Sequence, residues 1–447
     1  MLPQKNDTFW RNLVTGKIEH EFNFMVASLL VKRLNLTTYF DPSEETISKC
    51  IDEVYDFFTK YQKFLNKDII PLLGIPSIMQ LMTVEQAKEE IKKGKNLIIA
   101  GNEKILSALP AGNWIAGTSN SFIDKNSCIT TDDLLFVNEL PYYIENIKIE
   151  EFTENNIQNI NRNSYDNGFT ILILPFESKI HIKYAKNAAF FESIYTSPII
   201  GWIAGDIDNS RAKIFNGKEL TSSSHKGIAM YCELPKDKTA KLSIINLFKP
   251  NLNYKIEFLE DSFYINEALV NGKKVKFLEF LKSMNYDIKN PLTANLYGSF
   301  INVSFKEIIN DNIYMYAPVF KGTEYHLSIP ISNYVDEFNS IEQINANPVF
   351  SCHCILNYKY SELEGKKLNN FYGPSTYGEI GYILLNQTVA YLEILKKSCL
   401  VRQLILFSSD SIGIASCGLC QAARGSGPER PAKTLSLSPY KERCFMA

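Results

Sequence analysis

The tetrapeptide Trp-Ile-Ala-Gly occurs twice, at positions 114–117 and again at 202–205. Two of the chain's three tryptophans lie in it. In each copy a β-compatible run ends at a glycine and passes into a polar loop. Thr118 follows Gly117, and Asp206 follows Gly205. A shared word in a shared context predicts an internal structural duplication. A glycine at a strand end allows a sharp turn or a close backbone approach to a ligand, and the sequence leaves both open.

The rest of the chain alternates short apolar runs with helical patterns. Ser43 and the acids after it predict the start of a helix over 44–65, carrying an aromatic stripe that reads as core packing. A second helix is expected over 19–35. Thr83 and Gln86 form a capping-box pattern, and the helix after them should stop at Gly94. Residues 97–100 and 133–140 read as strands. The run 169–174, FTILIL, is apolar at every position and reads as a strand buried on both faces. Helices are expected over 153–162, 178–191, 275–284 and 333–344. Two strands between 314 and 329 should join at Lys321-Gly322-Thr323. The pattern predicts an α+β or α/β fold: layered mixed β-sheets flanked by helices, in two related half-domains. The expected divisions are a helical segment 1–82, halves 83–240 and 241–398, and a tail 399–447. The tail carries half of the chain's arginines and no asparagine, so it reads as a foreign, disordered extension.

Composition excludes several classes. A net charge of -2 leaves no electrostatic footprint for nucleic acid. No run of ~20 apolar residues is present, so no membrane span is expected. Nine cysteines, an odd number and widely spread, read as free thiols of a reducing compartment, with the cytoplasm as the default. Cys417 and Cys420 make a single Cys-x-x-Cys, short of the four ligands that a structural zinc needs. No phosphate loop, dinucleotide fingerprint, HExxH or GxSxG occurs. No cofactor or metal is therefore expected.

The stretch 347–394 concentrates the remaining chemistry. An apolar run contains Ser351, Cys352, His353 and Cys354. Two small-residue turns follow, and Glu379 sits between Gly378 and Ile380. If 350–355 is a strand, Cys352 and Cys354 share one face and His353 takes the other. Glu379 reads either as a buried acid for a cation or amine, or as a carboxylate holding turn N–H groups.

This stretch resembles the C-terminal part of FIST domains, through Ser351, Cys352, Gly378, Glu379, Ile380, Asn386 and Thr388. His353 and Cys354 stand where that family has polar and glycine residues. Residues 200–234 resemble the end of the N-terminal FIST region, through the Ala-Gly-Asp turn at 204–206 and Phe215-Asn216-Gly217. The 96–140 stretch resembles the earlier part, and more closely the P-x-G-N-W-I-x-G-T segment of an uncharacterised bacterial family. The resemblance spans about 90–395. It implies a cytoplasmic sensory module that binds a small ligand such as an amino acid, without catalysis, and passes the signal to a protein partner.

The residues expected to line the ligand site are Asn113, Gly117, Thr118, Gly205, Asp206, Cys352, Tyr377, Gly378, Glu379 and Asn386. Two other readings stay open: a cysteine-dependent hydrolase or transferase using Cys352, and a protein-interaction scaffold. Convergence of these residues on one cavity, with or without a histidine at Cys352, separates the three.

Overall fold

The computed structural model describes residues 79–205, 212–296, 299–341 and 348–396, with a few positions between 11 and 56. The helix expected over 19–35 and the tail lie outside the described residues. The same is true of Asp206, Cys417, Cys420 and most of the 44–65 helix.

Three six-stranded sheets repeat one plan. The first runs Met79–Met82, Leu135–Glu139, Leu97–Gly101, Trp114–Thr118, Ile214–Asn216, Thr221–Ser223. The second runs Ile147–Phe152, Gly227–Glu233, Gly168–Pro175, Ile199–Ala204, Glu379–Gly381, Ile383–Leu385. The third runs Lys238–Ile245, Val389–Lys396, Phe350–Cys354, Gly373–Thr376, Ser121–Ile123, Cys128–Thr130. In every sheet the central pair is parallel and every other pair antiparallel. A parallel pair needs a crossover, and a helix supplies it each time: Glu103–Leu106, Lys179–Asn187 and Ile355–Tyr360.

The copies are interlocked. After each parallel pair the chain makes a hairpin and gives it to a neighbour. The hairpin at 121–130 leaves the first copy for the third sheet, that at 214–223 leaves the second for the first, and that at 379–385 leaves the third for the second. The layered α+β architecture is therefore built from three related units. The expected halves 83–240 and 241–398 are not equivalent. The first holds two copies, and the second holds one copy plus an insertion.

The duplication exists, but the tetrapeptide does not mark it. Gly117 pairs with Ile214, the first residue of its hairpin strand, and Trp202 pairs with Glu379, the first residue of its own. Trp202 thus corresponds to Gly117, three residues out of step with the repeated word. An odd shift reverses the face. Trp114 packs beneath the helix Val84–Lys92 with Ala87, Ile91 and Leu97, whereas Trp202 points into the space between the sheets.

That space is solid. Ile98, Ile115 and Phe136 of the first sheet, Ile173, Trp202 and Met230 of the second, and Phe350, Cys352 and Leu392 of the third form one buried cluster. Burying each large apolar side chain contributes about 1.5–3 kcal/mol. Exposed ion pairs such as Lys92–Glu89 are screened by water and add little, so the shared core holds the units together.

Local signals act as the sequence predicts at several places. Thr83 Oγ accepts from Gln86 N at 3.3 Å, Gln86 Oε1 accepts from Thr83 N at 2.9 Å, and Gly94 ends the turn at φ 74°. The insertion lies between Ile245 and Phe350. It is a seven-stranded sheet, a three-stranded sheet and the helices Phe277–Ser283 and Tyr334–Asn339.

Candidate functional site

Most of the expected residues do meet. The ends of Trp114–Thr118, Ile199–Ala204 and Gly373–Thr376, the second strand of each parallel pair, come together, and their backbones bond across the sheets. Gly205 N donates to Thr118 O at 3.0 Å, and Ile203 N donates to Gly378 O at 2.8 Å. Ser119 Oγ donates to Ser375 O at 2.9 Å. Cys352 Sγ lies 3.1 Å from Gly201 O.

Around the glycines of this meeting place the described residues are closely packed. A Cβ on Gly205 would stand 2.6 Å from the Tyr377 ring, and one on Gly117 would stand 2.6 Å from Ile173 and 3.0 Å from Trp202 Nε1. The glycines are there because neighbouring side chains fill their Cβ space. The expectation that strand-end glycines frame a ligand is corrected accordingly. Asn113 is also corrected: it is exposed and precedes Trp114, at the opposite end of the strand from Thr118. Asn386 is buried and structural, accepting from Ser304 N and donating to Leu385 O.

Glu379 is the chemical centre of this region. Its strand belongs to the second sheet, yet Oε1 accepts from both the N and the Oγ1 of Thr388, each at 2.8 Å. Thr388 leads into a strand of the third sheet. The carboxyl therefore ties two sheets at a crossover and holds a turn N–H. Burial raises its pKa to about 8, against the opposing pull of the Thr388 hydrogen bonds. The acid is mostly neutral at pH 7. Burial, and then the nearby Glu379, push Cys352 and Cys354 well above the ordinary thiol range.

His353 takes the other face of its strand, as alternation requires. Its ring lies tilted at 43° to that of Phe338 and bonds the Phe371 carbonyl, and burial lowers its pKa to about 4. A reactive cysteine needs a base and a depressed pKa. Among the described residues no histidine bonds Cys352. No three His, Cys, Asp or Glu side chains among the described residues stand together in a way that could hold a metal.

Open space lies elsewhere. A cavity of about 280 Å³ separates the end of helix Lys179–Asn187 from the insertion. Its floor is buried and apolar: Ala185, Ala294, Val303, Ala317, Pro318 and Leu384. Phe190, Asp261 and Lys321 line its exposed mouth. Leu384 and Ile383 come from the hairpin that also carries Glu379, so the cavity wall and the buried acid share one element.

The model of a family of unknown function, DUF6976, matches residues 82–395. The chain belongs to that family. No curated protein matches it. The DUF6976 match begins at the end of the first strand and stops one residue short of the end of Val389–Lys396. It therefore covers the insertion and all of the three interlocked sheets except most of the first strand and the last residue of Val389–Lys396.

Sequence reasoning missed the cavity because alanines make it. Small residues at 185, 294 and 317 carry no motif, and each lies in an element whose pattern reads as ordinary core. The one available signal was the Lys321-Gly322-Thr323 turn, read only as a strand joint. Among the described residues no helix is long and apolar enough to cross a membrane.

Proposed function

We propose that this chain is a non-catalytic protein that binds a small ligand in the cavity between helix Lys179–Asn187 and the insertion. The cavity carries the reading: about 280 Å³ with an apolar floor approaches the usual range for small-molecule sites. A sensory role in the cytoplasm, with occupancy passed to a protein partner, completes the proposal and rests on the FIST resemblance. The shared hairpin offers a physical route for such a signal, since it lines the cavity and joins two sheets.

The cysteine-enzyme reading has less support. Cys352 is fully buried, its thiol is held protonated, and no described histidine reaches it.

Thermal-shift screening of the full chain against a metabolite set tests the proposal. A binder should raise Tm in the parent chain and leave Ala317→Phe, which fills the floor, unmoved. Equal shifts in both would place the ligand elsewhere.

A further inference from the structure

The cavity wall also limits what its ligand can be. Nearly every buried group on it is hydrocarbon. The one buried polar side chain is Tyr325, 1% exposed, and its hydroxyl is engaged twice, accepting from Phe320 N at 2.7 Å and bonding the Thr323 side chain. A ligand group placed on the floor therefore finds no free hydrogen-bond partner, and burying an unpaired polar group is costly. The inner part of the ligand must be apolar.

The mouth differs. Asp261 Oδ1 is engaged by Lys321 N at 2.8 Å, which fixes the turn. The exposed Lys321 ammonium makes no ion pair among the described residues, and it lines the opening. At ~30 Å³ per water-sized group, the cavity holds roughly nine methylene-sized groups.

We propose that the cavity takes a hydrophobic carboxylate, its chain of roughly eight to ten carbons on the alanine floor and its carboxylate at Lys321. This rests on the reading that the cavity is the ligand site. Amino acids fit less well, because their ammonium would stand beside the Lys321 charge, with Asp261 alone, one oxygen of which holds the turn, to offset it.

Calorimetric titration of the full chain with hexanoate, octanoate, decanoate, dodecanoate, octylamine and leucine tests this. Affinity should rise about 4-fold per added methylene and level off near ten carbons, where the floor is full. Octylamine should bind at least about 5-fold more weakly than octanoate. Lys321→Gln should weaken octanoate about 3-fold at low salt, and added salt should erase the difference. Ala317→Phe should abolish binding. Ala189→Trp, at a half-buried wall position, serves where Ala317→Phe does not fold.

Octylamine or leucine binding more tightly than octanoate, with the filled variants silent, overturns the ligand class and keeps the site. Octanoate binding that both filled variants leave intact overturns the site itself. No binding by any probe overturns both.

Discussion

The centre where three sheets meet and the cavity beside the insertion are built by opposite means. At the centre, glycines admit large side chains: Gly117 receives Trp202, and Gly205 receives the Tyr377 ring. At the cavity, alanines at 185, 294 and 317 face one another and nothing fills the gap. Conspicuous small residues thus mark tight packing here, and inconspicuous ones mark space. A glycine motif is evidence of close approach, and the approaching group is as readily a neighbouring side chain as a ligand.

The contrast is easiest to break at Gly201. A Cβ there would lie 1.7 Å from the Leu172 carbonyl oxygen, and backbone cannot yield as a flexible side chain does. Gly201→Ala should lose more than about 4 kcal/mol in urea denaturation, or fail to fold. A near-neutral result would mean that the centre is looser than described.

Glu379 gives the next largest effect. Its pKa is raised from 4.5 to about 8 in the folded chain, so the unfolded chain releases that proton first. Its stabilising contribution is fully present below pH 4.5 and is lost as pH rises toward 8. Glu379→Gln keeps an oxygen for Thr388 and cannot ionise. The variant should match the parent near pH 4.5 and exceed it by on the order of 3–5 kcal/mol at pH 8, at about 1.4 kcal/mol per pKa unit. Parallel stability curves across that range would show that the acid is ionised and paired.

Cys352→Ala should cost about 1–2 kcal/mol for a small void and leave ligand affinity unchanged. Lost binding or a lost turnover would return Cys352 to the functional site. Ala317→Phe should do the reverse, shifting stability by less than about 1 kcal/mol while removing ligand binding. A large destabilisation would show that the cavity floor is as tightly packed as the centre.

The pH prediction also bears on the interlock. The three units exchange hairpins, so a strain at Glu379 is felt by two sheets together. Unfolding should be a single transition across the 79–396 region, measured alike by tryptophan fluorescence and far-ultraviolet circular dichroism. Separate transitions would indicate that the units are independent.

The sequence by itself determined what depends on neighbours along the chain. The Thr83–Gln86 capping box, the apolar strand within Gly168–Pro175 and the opposite facing of Cys352 and His353 follow from local hydrogen bonding, hydrophobic run and strand alternation. So does the layered α+β class. Only the tertiary structure decided what depends on partners far away. It showed three copies where the repeated word suggested two, because copies share strand order and not residues. It showed Trp202 filling the space over Gly117, and Thr388 holding Glu379. It left a gap beside Ala317, since a cavity is the absence of contacts from several distant segments, and no single stretch of sequence encodes that.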